Sequence, residues 1–130
     1  MSRSGYEDID DNWRLIRWRG AAAAAVKGKR GQKFLRELAG YLDAMPEKQL
    51  IAYAMEKDGH YCTLGVVGKA RGIVLGEDQE FEAVGEAFDI SGTLAAEIMD
   101  KNDDGGPYCE SPECRWTRMR AWVQDNLKEG

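Results

Sequence analysis

Apolar residues recur at steps of three or four positions through most of the chain, and short breaks marked by glycine or proline separate these stretches. This spacing places apolar side chains on one face of an α-helix. The predicted helices run over 11–27, 30–45, 79–88 and 92–101, and from 111 onward. Asp11 is the expected N-cap of the first, Pro46 stops the second, and Ser111 followed by proline is typical of a helix start.

The middle of the chain is ambiguous. Residues 50–56 fit either a short strand or one or two helical turns, residues 57–59 form a turn pattern, and residues 62–71 fit a helix that two glycines weaken. We therefore predict a mostly α fold, a small bundle of five or six helices in a single domain, with a short strand pair in the middle left open. Within it we expect a flexible N-terminal arm (1–10), a basic helical hairpin (11–45) and an acidic helical remainder (46–130).

Charge is distributed unevenly along the chain, which has a net charge of −5. Residues 1–42 carry nine basic and five acidic side chains, whereas residues 43–130 carry nine basic and eighteen acidic ones. Between residues 12 and 36 there are eight basic side chains and no acidic one. Either end of such a dipolar chain can attract a charged partner, so charge alone does not choose between nucleic acid and protein.

Several classes of protein are disfavoured by the sequence. The longest apolar run, five alanines and a valine over 21–26, is far shorter than the roughly 20 residues of a membrane-spanning helix. The N-terminus lacks the apolar segment of a secretory signal, and three cysteines are an odd number for a disulfide scaffold. We therefore expect a cytoplasmic protein with no membrane partner and reduced thiols.

No catalytic pattern is present in the sequence. The glycine pairs at 28–31 and 65–68 lack the spacing and the following Gly-Lys-Ser/Thr of a phosphate-binding loop, and there is no Gly-x-Ser-x-Gly turn. His60 is the only histidine and has no convincing cysteine partner for nucleophilic chemistry. We predict that the protein is not an enzyme and has no cofactor.

Two parts of the chain carry residue types that bind metals. Residues 100–105, Asp-Lys-Asn-Asp-Asp-Gly, match the first half of an EF-hand calcium loop, but position 12 is Ser111 where the bidentate glutamate belongs. His60, Cys62, Cys109 and Cys114 are four ligands of the kind that zinc prefers, at a spacing that zinc sites rarely show. We predict no metal site and keep a calcium-binding module as a third functional alternative.

Nucleic-acid binding is the second alternative. A helix–turn–helix pattern over 83–99 is opposed by its acidic second helix. The basic hairpin is the better candidate, because basic side chains beside exposed aromatic ones can neutralise phosphates and stack on bases. The residues expected to do so are Trp13, Arg14, Arg17, Arg19, Lys29 and Arg30.

The chain resembles a family of small uncharacterised proteins of bacteriophages and prophages. The residues that carry this resemblance are 1–6, 16–21, 28–32, 34–38, Cys62-Thr-Leu-Gly and 115–123. The likeness covers nearly the whole chain. It implies a phage accessory protein in the cytoplasm of the bacterial host, one that binds a host protein or complex stoichiometrically. Inhibition of a host defence system, in the manner of anti-CRISPR proteins, is the role that we expect from it.

The partner surface that we expect is acidic. Asp100, Asp103, Asp104 and Glu110 could occupy a basic nucleic-acid channel of a host complex. The alanines at 21–25 could equally serve a homodimer or pack within the chain.

Overall fold

The computed structural model describes residue 4 and residues 12–73, 80–107 and 110–128. Within them lie six helices and one two-stranded sheet, which confirms the mostly α prediction and the strand pair in the middle. The elements are α1 (Asn12–Lys27), α2 (Lys29–Ala44), β1 (Glu56–Lys57), β2 (His60–Tyr61), α3 (Thr63–Arg71), α4 (Phe81–Phe88), α5 (Gly92–Asp104) and α6 (Pro112–Asn126). No helix among the described residues is long and apolar enough to cross a membrane.

α5 is the central helix of the bundle. It packs against α1, α3, α4 and α6, and its residues Ala95, Ala96 and Ile98 have no exposed surface. Because two of these side chains are alanines, the neighbouring helices can approach α5 closely. α2 packs on the other side of the core, against α3 and α6, through Phe34, Leu35, Leu38 and Leu42.

α1 lies along α5 in the opposite direction, since Arg19 pairs with Asp100 and Ala25 lies near Leu94. It meets α2 where the two helices join at Gly28. A side chain at Gly31 would collide with the Ala25 carbonyl oxygen, so only glycine allows this close approach.

The buried side chain of Gln32 stabilises the same junction of α1 and α2 through hydrogen bonds. Its Nε2 donates to the carbonyl oxygens of Val26 at 2.7 Å and Asn126 at 2.9 Å, and its Oε1 accepts from the Lys128 amide at 2.8 Å. One buried side chain therefore holds the end of α1, the start of α2 and the end of α6 together.

The middle of the chain is mostly irregular. β1 and β2 pair antiparallel, with Glu56 opposite Tyr61 and Lys57 opposite His60, around a turn in which Asp58 and Gly59 have positive φ. Residues 50–55 form neither of the two structures predicted for them. Their backbone bonds to distant segments instead, from Leu50 N to Pro112 O at 3.1 Å and from Ile51 N to Tyr61 O at 3.0 Å.

The predicted end of α5 at residue 101 is wrong, because the helix continues three residues further, to Asp104. Arg118 of α6 is the reason, because its guanidinium donates to the carbonyl oxygens of Lys101 at 2.5 Å and Asn102 at 3.1 Å. The last carbonyls of a helix have no intrahelical partner, and Arg118 supplies one to Asn102 and a second one to Lys101, whose carbonyl also accepts from the Gly105 amide at 3.2 Å.

The helix start predicted at Ser111 is confirmed. The Ser111 hydroxyl accepts from the Cys114 amide at 3.1 Å, and Pro112 is the first residue of α6. Some predicted features lie outside the described residues: the arm over 1–10 apart from Ser4, the cap Asp11, the start of the 79–88 helix, and Cys109.

Candidate partner-binding surface

One side of α1 faces away from the bundle. Its buried side carries Ala22 and Val26, with Leu15 and Trp18 half-buried. At 100° per residue the opposite side carries Trp13, Ile16, Arg17, Gly20 and Ala24, which are all exposed and which we call the outer face of α1. Trp13 is 70% exposed and Ile16 is 60% exposed, and with Tyr53 they form the set of exposed large apolar residues in the described chain.

Arg17 lies on this outer face, and Arg14 lies at its edge. Arg14 and Arg17 are exposed, and neither forms an ion pair with any residue that the structure describes. α1 itself contains no carboxylate. The outer face therefore combines large apolar side chains with positive charge that the described part of the protein does not neutralise.

The six residues of the predicted nucleic-acid set are not all on one surface. Trp13, Arg14 and Arg17 lie on the exposed side of α1, whereas Arg19 turns toward α5 and approaches Asp100 at 3.9 Å. Lys29 and Arg30 lie in the first turn of α2. Arg30 also approaches Asp89 of the α4–α5 connection at 3.7 Å.

The four residues of the predicted acidic face are distributed between surface and interior. Asp100 keeps 17% of its side chain exposed. Asp103 accepts from the backbone amide of Tyr53 at 2.9 Å, and Asp104 from the Tyr53 hydroxyl at 3.3 Å. Of the four, only Asp104 is an exposed residue.

Glu110 has the most buried carboxylate of the set, with 4% of its side chain exposed. Arg118 binds both of its oxygens, at 2.7 and 2.8 Å, and Arg115 lies 3.3 Å away. The hydrogen bonds from Arg118 hold the pKa of Glu110 below its ordinary value, although burial opposes them. This carboxylate therefore binds two arginines of α6 within the protein.

Several of the residues that could bind a metal have other partners in the fold, among them Asn102, Asp103 and Cys62. Asp100 to Asp104 lie on α5, where Asn102 accepts from the amide and hydroxyl of Thr63, so the described backbone is not an EF-hand loop. Cys62 is buried at the start of α3, and its sulfur accepts from the Gly65 amide at 3.4 Å. Among the described residues no three His, Cys, Asp or Glu side chains are grouped to hold a metal ion.

A groove beside α3 is a feature that the sequence did not indicate. Its volume is about 360 Å³, and the residues that line it are Met55, Glu56, Tyr61, Gly65, Gly68, Lys69, Gly72 and Ile73. Gly65 and Gly68 of α3 line it together with Gly72, the residue that follows the helix. The exposure of Ile16 was likewise not predicted from the sequence.

Comparison of the chain with protein-family models, with curated proteins and with solved structures finds no match. Function is therefore inferred from the surface of the chain itself.

Proposed function

We propose that the protein acts stoichiometrically by binding an acidic surface of another protein through the outer face of α1. The observation that carries this proposal is the exposure of Trp13 and Ile16 on a face that includes Arg17 and has Arg14 at its edge. Tryptophan and arginine are the residue types that most often dominate the energy of protein interfaces.

The shape of the outer face also favours a protein. Gly20 and Ala24 lie between the larger side chains, and a side chain at Gly20 would meet nothing within 4 Å. A partner helix or strand can therefore approach the α1 backbone closely while Trp13 and Ile16 contact its sides. Burial of Trp13 alone is expected to supply about 2 kcal/mol or more of binding free energy.

Charge selects the class of partner. Two copies of the outer face would bring Arg14 and Arg17 of each chain together, so α1 is poorly suited to a homodimer. An acidic partner surface would gain from the same arginines, which would also accelerate association at low salt. The resemblance to phage proteins makes a bacterial host protein the expected partner, and inhibition of a host defence complex the expected effect.

Photo-crosslinking from α1 tests this proposal. A benzophenone amino acid replaces Ala24 on the outer face, and in a control it replaces Ala121, an exposed alanine of α6. In bacterial lysate treated with nuclease we expect a discrete protein adduct from position 24 and none from position 121. Equal adducts from both positions, or no adduct from position 24, would show that the outer face is not the binding surface.

Charge variants test the chemistry of the partner. Arg14→Glu with Arg17→Glu should reduce the adduct at least tenfold, whereas Arg14→Lys with Arg17→Lys should retain most of it. Lys57→Glu with Lys69→Glu, on β1 and α3, makes the same change in net charge away from α1 and should have no effect. If this control pair weakens the adduct as much, the net charge of the protein and not the outer face determines binding.

A further inference from the structure

A second basic surface lies on α2 and is separate from the outer face of α1. Lys29, Lys33 and Arg36 are exposed and follow one another at steps of four and three residues. At 100° per residue they fall within about 60° of the helix circumference. At a rise of 1.5 Å per residue they are spaced about 6 and 4.5 Å apart along the axis. We call these three residues the α2 stripe.

The acidic residues of α2 do not neutralise this stripe. Glu37 is bound by Arg71 of α3 at 2.6 Å, and Asp43 by Arg120 of α6 at 2.8 and 3.0 Å. None of the three stripe residues forms an ion pair with a carboxylate in the part of the chain that is described. The stripe is therefore a row of positive charge whose nearest acidic neighbours on the helix are already paired.

This arrangement opposes the stability of the helix that carries it. Like charges four residues apart repel each other, and cations in the first turn, Lys29 and Arg30, meet the positive end of the helix dipole. α2 holds because its other side buries Phe34, Leu35 and Leu38 in the core. A bound row of negative charges would relieve both repulsions.

We infer that the α2 stripe binds the phosphate backbone of a nucleic acid. A phosphodiester chain presents one full negative charge per nucleotide in a line, and the guanidinium of Arg36 can bind a phosphate through two hydrogen bonds. Unlike the outer face of α1, α2 exposes no aromatic or large aliphatic side chain, which favours a polyanion over a protein surface. Without an exposed aromatic ring on α2 there is no base stacking, so binding should be independent of sequence.

Binding of labelled 20-nucleotide DNA, single-stranded and duplex, tests this inference by fluorescence anisotropy between 50 and 250 mM NaCl. Three phosphate contacts predict a slope of log affinity against log salt of about −2 for single strands and about −3 for duplex. Lys29→Gln with Lys33→Gln should lower the affinity about tenfold at 50 mM NaCl and bring either slope to about −1. Glutamine keeps a similar helix propensity, so α2 should remain folded.

Two control variants distinguish the α2 stripe from the rest of the protein surface. Lys57→Gln with Lys69→Gln makes the same charge change on β1 and α3, and Trp13→Ala with Ile16→Ala removes the apolar part of the proposed protein site. Both should leave the affinity for DNA within twofold of the unmodified protein. The inference is wrong if neither DNA binds at 50 mM NaCl. It is equally wrong if the Lys57 and Lys69 variant loses as much affinity as the α2 variant, or if polyglutamate of equal charge displaces DNA as well as unlabelled DNA does.

Discussion

Asn102 joins three segments of the chain through one buried side chain. Its Oδ1 accepts from the backbone amide of Thr63 at 3.1 Å and from the Thr63 hydroxyl at 2.7 Å. Its Nδ2 donates to the carbonyl oxygen of Ile51 at 3.0 Å. A residue of α5 thus satisfies the start of α3 and the irregular segment before β1.

Asn102→Ala should lower the free energy of unfolding by about 2–4 kcal/mol, because it leaves buried polar groups of Thr63 and Ile51 without partners. Urea denaturation followed by circular dichroism measures this change. Asn126→Ala is the matched control, since among the described residues that side chain bonds only to Trp122 of its own helix. We expect the control to cost less than about 1 kcal/mol, and an equal loss in the two variants would contradict the role given to Asn102.

Asp100 is a second residue whose burial has a measurable consequence. Burial raises the pKa of Asp100 above its ordinary value, and the nearby carboxylates of Glu97 and Asp104 act in the same direction, while Arg19 opposes them. A carboxyl with a raised pKa binds its proton more tightly in the folded state. Its ionised form therefore weakens the fold at neutral pH, and this penalty disappears once the pH is below the unfolded value of about 3.9.

Asp100→Asn should accordingly raise the urea midpoint at pH 7, and the gain should shrink as the pH falls toward 4. Asp125→Asn, at an exposed position of α6, should change the midpoint little at either pH. A gain from Asp100→Asn that is the same at pH 7 and pH 4 would show that the carboxyl charge is not its cause.

At the scale of elements, helices could be predicted where regularly spaced apolar residues or a capping residue lie within one stretch of sequence. α2 and α6 are such helices, with the apolar steps from Phe34 to Leu42 in the first and Ser111 with Pro112 in the second. The end of α5 could not be predicted, because the sequence after Lys101 has the composition of a loop. Arg118, which donates to the carbonyls of Asn102 and Lys101 near the end of α5, is 16 and 17 residues away from them in sequence.

For the candidate site, the sequence indicated which residue types would be exposed on α1 and α2, but not which charged side chains would pair with each other. The absence of acidic residues from 12–36 correctly marked a stretch of exposed positive charge on α1 and α2. The pairing within the acidic set could not be predicted, because the sequence does not show which carboxylates an arginine binds. Glu110 has the residue type of a surface carboxylate, but Arg115 and Arg118 enclose it.

The packing of the β1–β2 hairpin against α3 depends on the absence of a side chain at Gly65. A Cβ at this position would collide with the Met55 carbonyl oxygen, so the β1–β2 hairpin can lie against α3 only while residue 65 is glycine. Gly65→Ala should therefore cost about 3 kcal/mol of unfolding free energy, as overpacking does in cores. Gly40→Ala on α2, where a Cβ meets nothing within 4 Å, should instead stabilise the protein by about 0.5–1 kcal/mol. Thermal melting distinguishes the two, and a stabilising effect of Gly65→Ala would mean that the hairpin does not lie as described.

At the scale of the whole molecule, a chain of net charge −5 presents positive charge on two exposed helices. Several carboxylates of the described chain pair with an arginine of another segment: Glu37, Asp43, Asp100 and Glu110. The net charge of the sequence therefore gives the wrong sign for the surfaces on α1 and α2. The binding surfaces proposed on α1 and α2 depend on these ion pairs between carboxylates and arginines, which are seen only in the folded chain.

The bonds of Asn102 and Arg118 also make three helices depend on one another in series. Arg118 of α6 donates to two backbone carbonyls in the last turns of α5. Asn102 of α5 in turn accepts from the first backbone amide of α3. The amide protons of α3 should therefore exchange with deuterium at a rate set by the opening of α5, as one cooperative unit. Arg118→Gln, which does not touch α3, should accelerate exchange at Val66 and Val67, whereas Arg120→Gln, whose arginine binds Asp43, should not.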